Sequence, residues 1–140
     1  MEKPISFEFE TTLGIPFNED TVVAWLLSAI QDEGKSLNNI LYTFCSDDFL
    51  LQINRDHLDH DYYTDIITFP YSYDPIESDI FISIDRVKDH AKEYGVPEQQ
   101  ELARVMVHGV LHMCGYNDHS DDEKKVMRDK ENHYLKAFNF

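Results

Sequence analysis

His108 and His112 lie four residues apart in the run VMVHGVLHMCGYNDHS, Val105 to Ser120. A helix turns about 100° per residue, so two such side chains leave one face roughly one turn apart. Two imidazoles placed that way can share a Zn²⁺ ion. The spacing is that of the H-E-x-x-H helix of zinc peptidases, but Gly109 stands where that motif carries its glutamate. Peptide hydrolysis by that route therefore lacks its proton acceptor. Gly109 instead suits the close approach of another backbone or helix.

A third ligand has two candidates. Gly115 ends the helical pattern, and the chain folds back through GYNDH to offer Asp118 and His119. Asp118 also suits an N-cap or turn just before the next helix. A histidine pair alone is also ordinary on a polar helix face. Here the surrounding residues are apolar, and a buried imidazole without a partner is costly. A metal ion supplies one. Cys114, two residues after His112, points about 200° away and reads as core. His57, His60 and Asp61 resemble a second ligand cluster, but read as exposed polar residues at a helix end and loop. His90 reads as solvated on a short helix, and His133 as edging the core beside Tyr134.

The rest of the chain must position these groups. Its 140 residues are the usual size of one domain, here 1–140, and a 42% hydrophobic fraction supports one core. No run of about 18 apolar residues points to a membrane span. The N-terminus lacks a basic then apolar leader, so the expectation is a cytoplasmic protein. Cys45 and Cys114 sit in apolar runs and read as reduced, buried thiols. The net charge of -15 repels phosphate backbones at long range. It argues against nonspecific nucleic-acid binding, so an RNA partner needs a local basic patch, a metal or a partner protein. Lys124, Lys125, Arg128 and Lys130 form the densest basic group, but acidic neighbours interrupt it and it reads as a solvated, ion-paired face.

The pattern of elements is β-α-β-α-β-β-α-α-α. ISFEFE alternates like a half-buried strand. Asn18 caps a helix whose stripe is Val22, Val23, Leu26, Leu27 and Ile30, and Gly34 stops it. NILYTFCS reads as a strand buried on both faces. Ser46 opens a short helix with Phe49, Leu50, Ile53 and Leu58 inward. DIITFPYSY and SDIFISI pair through a turn at DPIE. A short helix stops at Gly95. A long one runs from Pro97 to Gly115, apolar nearly all round, and is expected to be central and buried. The last begins near Ser120, with Asp121, Asp122 and Glu123 in its first turn. This is an α+β domain: a four-stranded, mostly mixed sheet covered by helices, with a central buried helix carrying the metal ligands.

Three segments, in order, resemble the YbeY family of zinc-containing endoribonucleases and rRNA maturation factors. HGVLHMCGYNDH is similar to its H-G-x-L-H-L-x-G-Y-D-H signature. LQINRDHLDHDYYTDIITFPY is similar to a second family segment, matching at Asn54, Asp61, Thr64, Asp65, Phe69 and Pro70. SDIFIS matches a third through Asp79. Together they span Gln52 to His119, about half the chain. The resemblance implies a metal-dependent, single-strand-specific endoribonuclease with one zinc per chain. It also implies work in 16S rRNA 3′ end maturation and ribosome quality control. Its partners would be rRNA and the small ribosomal subunit or a ribosomal protein, with no membrane and no DNA. Asn54, Thr64 and Asp65 become candidates for the substrate pocket, and the water on the zinc is the only catalytic group implied.

Two departures stand out. The family's arginine four residues after Asn54 falls on Leu58, and Arg55 or Arg104 are the replacements by position. Gapless register puts Asp118, not His119, at the third ligand and Asn117 at the motif's aspartate, so Asp118 is favoured, with His119 restored by a one-residue insertion. The competing readings are a non-catalytic assembly factor with a structural zinc, closed by four protein ligands, and a metallohydrolase of another substrate.

Overall fold

A computed structural model describes residues 4–138. The element order is that of the sequence pattern: β1 (Ile5–Phe9), α1 (Glu19–Asp32), β2 (Leu37–Cys45), α2 (Asp47–Leu58), β3 (Ile66–Tyr73), β4 (Ile76–Ser83), α3 (Ile84–Tyr94), α4 (Glu98–Met113) and α5 (Asp121–Leu135). Side-chain oxygens of Asn18, Ser46, Ser83 and Ser120 accept from backbone N–H groups in the first turns of α1, α2, α3 and α5. Ser120 and Glu123 form a reciprocal capping box. Gly115, at a φ of 106°, releases the chain from α4 into the Tyr116–His119 turn.

The four strands lie in the order β1-β2-β4-β3. β2 runs parallel to β1 and β4, and β3 runs antiparallel to β4, so the sheet is mixed. One face carries Ile40, Tyr42, Phe44, Ile80 and Ile82, buried with residues of α1 and α4. The other is covered by α2, where Leu50 meets Cys45 and Ile67. The Tyr42 hydroxyl donates to the Met106 carbonyl at 2.8 Å, tying β2 to the middle of α4.

The inner stripe of α2 is Leu50, Leu51 and Asn54. Phe49 and Leu58, expected inward, are 38% and 39% exposed. A helix resting on a sheet by one narrow stripe has no second apolar face to bury.

α4 is the central element, packed on α1, α3, α5 and the sheet. Gly109 sits where it crosses β4. A β-carbon there would lie 2.9 Å from Ile80 Cδ1 and 3.3 Å from Ile66 Cδ1. The close approach is thus to sheet side chains, not to another backbone or helix. The sheet's apolar side chains fill the space a side chain at 109 would need.

Both cysteines are free. Burial, then the charges of Glu10, Asp85 and Asp47, push the Cys45 thiol up to about 12. Native protein is therefore expected to protect Cys45 from a thiol-alkylating reagent near neutral pH and to expose it only on unfolding. Cys114 is free and only partly buried, so an alkylation time course across a denaturant series, with the label located on Cys45 by peptide mass spectrometry, reads this; rapid labelling of Cys45 in the native baseline would contradict it.

Candidate functional site

Glu101, Val105, His108 and His112 follow one another at helical spacing and make a single stripe along α4. His108 and His112 stand with ring centroids 5.7 Å apart. Each ring is held from behind. His108 Nδ1 lies 2.7 Å from Glu131 Oε2, and His112 Nδ1 lies 2.7 Å from the Tyr116 carbonyl oxygen. A carbonyl and a carboxylate only accept, so both Nδ1 atoms carry the proton and donate it. Neutral rings so held present Nε2 with its lone pair free. Metal-binding histidines are oriented in this way, by a carboxylate or carbonyl on the second nitrogen.

Glu131 reaches the site because it occupies the core stripe of α5 between Met127 and Tyr134. Its other oxygen accepts from Arg104 Nη1 at 3.0 Å, and Arg104 Nη2 donates to Asn132 Oδ1 at 2.8 Å. Burial opposes charge on His108, but the hydrogen bond and charge of Glu131, with Asp118 and Asp65, raise its pKa above the ordinary value. Burial also raises the Glu101 pKa, against the charges of Arg104 and His90.

Tyr116 is anchored in turn. Its hydroxyl donates to Glu33 Oε1 at 2.7 Å, and Lys130 Nζ lies 3.2 Å from Glu33 Oε2 and 5.5 Å from the Tyr116 ring centre. Tyr134 also donates to Glu33. Burial works against the Glu33 charge, but bonds from Tyr134, Tyr116 and Lys130 bring its pKa below the ordinary value. The end of α1 and the middle of α5 thereby fix the carbonyl that orients His112.

The third-ligand candidates line different recesses. Asp118 is half-buried, and its Oδ2 lies 3.4 Å from His108 Nε2. That is longer than a charge-assisted hydrogen bond of about 2.7–2.9 Å. It is close to the ~3.3 Å edge between ligand atoms of a tetrahedral zinc with bonds of about 2.0–2.1 Å. His119 is exposed and lines a separate groove with His112, Pro70 and Tyr73. Among the described residues, no three His, Cys, Asp or Glu side chains are gathered closely enough to hold a metal ion. Donor type and ring tautomer fit zinc, and the His108–Asp118 pair is already close.

The cleft beside His108 has a volume of about 280 Å³. Asp118, Asp65, Glu101 and Glu131 give it four carboxylates; Arg104, Lys124 and Arg128 give it three cations. His90 also lines it, 3.9 Å from Asp65 through Nδ1, and is not simply solvated as its helix pattern suggests. Thr64 is half-buried and does not line this cleft. Asn54 is buried in α2, where its amide donates to the Tyr62 carbonyl at 2.9 Å and so holds the loop leading to Thr64 and Asp65. Of the two candidate stand-ins for the family's arginine, Arg104 lines the cleft, whereas Arg55 pairs with Asp61.

Sequence reasoning missed Glu131, Tyr116 and Glu33. Glu131 had a readable signal: a carboxylate four residues after Met127 and three before Tyr134, on a stripe that otherwise buries apolar groups. Tyr116 acts here through its backbone carbonyl, which no residue type announces.

A family model described as "Endoribonuclease YbeY" matches residues 8–139. A Flavobacterium psychrophilum protein named Endoribonuclease YbeY is 48% identical over 135 residues, 96% of each chain. Its namesake from Flavobacterium johnsoniae is 43% identical over 135 residues, again 96% of each. One from Bacteroides thetaiotaomicron is 45% identical over 112 residues, 79% of this chain and 82% of its own. The solution structure of a Thermotoga maritima protein shares the fold, with a TM-score of 0.67 at 23% identity over 94% of this chain and 87% of that one. With the α4 histidines inside a match this long, the chain belongs to the YbeY endoribonuclease family.

Proposed function

We propose that this YbeY-family endoribonuclease is a single domain over residues 1–140 that cuts single-stranded RNA at the His108 cleft with one bound zinc ion. The observation that carries the reading is the double restraint of the histidines, with each Nδ1 donating backward and each Nε2 left free. His108 and His112 would hold the metal with Asp118 as third ligand, and His119 is the alternative. When bound, zinc polarises a phosphoryl oxygen and lowers the pKa of water toward neutrality.

The charge balance of the cleft supports the same reading. With four carboxylates set against three fixed cations, the cleft has no excess of fixed positive charge with which to draw a phosphodiester in. A divalent cation reverses that balance. Lys124 and Arg128, one turn apart on α5, then stand at the cleft to hold a phosphate oxygen each. Arg104 holds Glu131 in place through its hydrogen bond, and Glu131 keeps His108 aimed. Asp65 and His90, 3.9 Å apart, offer polar groups along the cleft wall, while Asn54 holds the loop that leads to Thr64 and Asp65. Among the described residues no helix is long and apolar enough to cross a membrane. We assign the activity to rRNA maturation, including the 16S 3′ end, and to ribosome quality control in the cytoplasm. Recruitment by the small subunit or one of its proteins offsets the repulsion from a net charge of -15.

Purified protein is expected to carry about one zinc per chain and to cut single-stranded rRNA fragments until a chelator is added. Metal analysis and a cleavage time course read both. A chain that takes up no zinc after reconstitution removes the metal site. One that binds zinc but cuts nothing, with or without small subunits, is an assembly factor instead.

A further inference from the structure

The second groove, on the far side of His112, differs in chemistry from the cleft. It has a volume of about 360 Å³, which is in the range of small-ligand recesses, roughly 300–1,000 Å³. Among the described residues, no Lys, Arg, Asp or Glu lines it. Its walls are Pro70 and Tyr73 from β3 and Asn117 and His119 from the turn after α4. The Tyr73 side chain is 57% exposed and makes no hydrogen bond or ring contact with the described residues. Tyr71, by contrast, donates its hydroxyl to Asp79 at 2.8 Å and does not line the groove.

Among the described residues β3 is an edge strand, paired only with β4. An added peptide strand would need its outer N–H groups, but Pro70 has none and the register shifts between Pro70 and Ser72. A flat ring needs no strand pairing. Sequence-tolerant RNA binders take bases on exposed aromatic rings. His112 borders this groove and shares its helix face with His108, so the groove adjoins the site where the phosphate is held.

We propose that this groove is a nucleobase subsite in which Tyr73 stacks on the base of a nucleotide flanking the scissile phosphate. The inference rests on the proposed function, since the strand must cross the histidine pair. The charged cleft then takes backbone and the uncharged groove takes a base, with His119 and Asn117 also lining the groove. The occupant is a single-stranded segment, because a paired base has no free face to offer.

The test compares wild type, Tyr73→Ala, Tyr73→Phe and Tyr71→Ala on a short single-stranded RNA, by cleavage kinetics and by anisotropy of the labelled RNA. Tyr73→Ala is expected to raise KM and weaken binding roughly 5- to 150-fold, the range for one lost base–aromatic stack. Tyr73→Phe restores the affinity, and Tyr71→Ala matches wild type. Abasic nucleotides placed one at a time should weaken binding to wild type at one position that Tyr73→Ala no longer senses. Unchanged affinity in Tyr73→Ala, or no position with that interdependence, overturns the subsite. If wild type binds the RNA but does not cut it, the nuclease reading fails and the anisotropy comparison still decides the subsite.

Discussion

Glu131→Ala is expected to cost about 3–5 kcal/mol of folding stability, the range for removing one partner of a buried ion pair. The Glu131 side chain is 7% exposed and that of Arg104 15%. Glu131 accepts from Arg104 through one oxygen and from His108 through the other. Alanine leaves the guanidinium with only Asn132 close by and a longer 4.0 Å approach to Glu101. It also frees the His108 ring to rotate, so zinc affinity should fall by a further 10- to 100-fold. Glu131→Gln separates the two effects. Its amide oxygen can serve one donor but not both as an anion does, so it should lose less stability while still weakening the metal. Urea unfolding of metal-free protein reads the first quantity and a competing chelator the second. A loss under about 1 kcal/mol with unchanged zinc affinity would mean that Glu131 neither supports the fold nor aims the ring.

Gly109→Val should cost about 2–3 kcal/mol through overpacking. Valine gains only a few tenths of a kcal/mol over glycine in helix propensity, so sterics decide the sign. Its first carbon already meets Ile80 Cδ1 at 2.9 Å, and Ile80 is fully buried. α4 must then lift from β4, and His108, the preceding residue, moves with it. The thermal midpoint should drop and metal affinity with it. Pairing the milder Gly109→Ala with Ile80→Val offers a check, because it removes the carbon that clashes. The double variant should lose less stability than the two single losses added together. Strict additivity would show that the 2.9 Å approach is not the source of the cost.

Much of this fold was legible from local rules. Asn18, Ser46 and Ser120 announced helix starts, and Gly34, Gly95 and Gly115 announced stops. Alternation and β-branching marked the four strands, which gave element order but not neighbours. That β4 inserts between β2 and β3 depends on long-range pairing that no local pattern contains. The misplacements of Phe49 and Leu58 have the same origin, since apolar type marks a residue that can be buried, not one that is.

The site divides along a similar line. His108 and His112 stood out because four-residue spacing is itself geometry. Their supports did not, because Glu33, Tyr116 and Glu131 come from three separate parts of the chain and meet only after folding. Lys124 and Arg128 read as part of a mixed-charge surface helix, and only the packing of α5 against α4 turns them toward the cleft.

α4 is both the floor of the site and the beam around which the core is packed: from Glu101 onward only Arg104 and the two histidines are not buried among the sheet, α1, α3 and α5. Chemistry and cohesion therefore draw on the same sixteen residues. Any ion or substrate that grips the histidines grips the least yielding part of the molecule, so occupancy of the site is felt as tightening of the whole domain rather than of a loop. Substitution meets the matching constraint: a change beneath the histidines must be absorbed by the core, whereas one on the loops around them need not be.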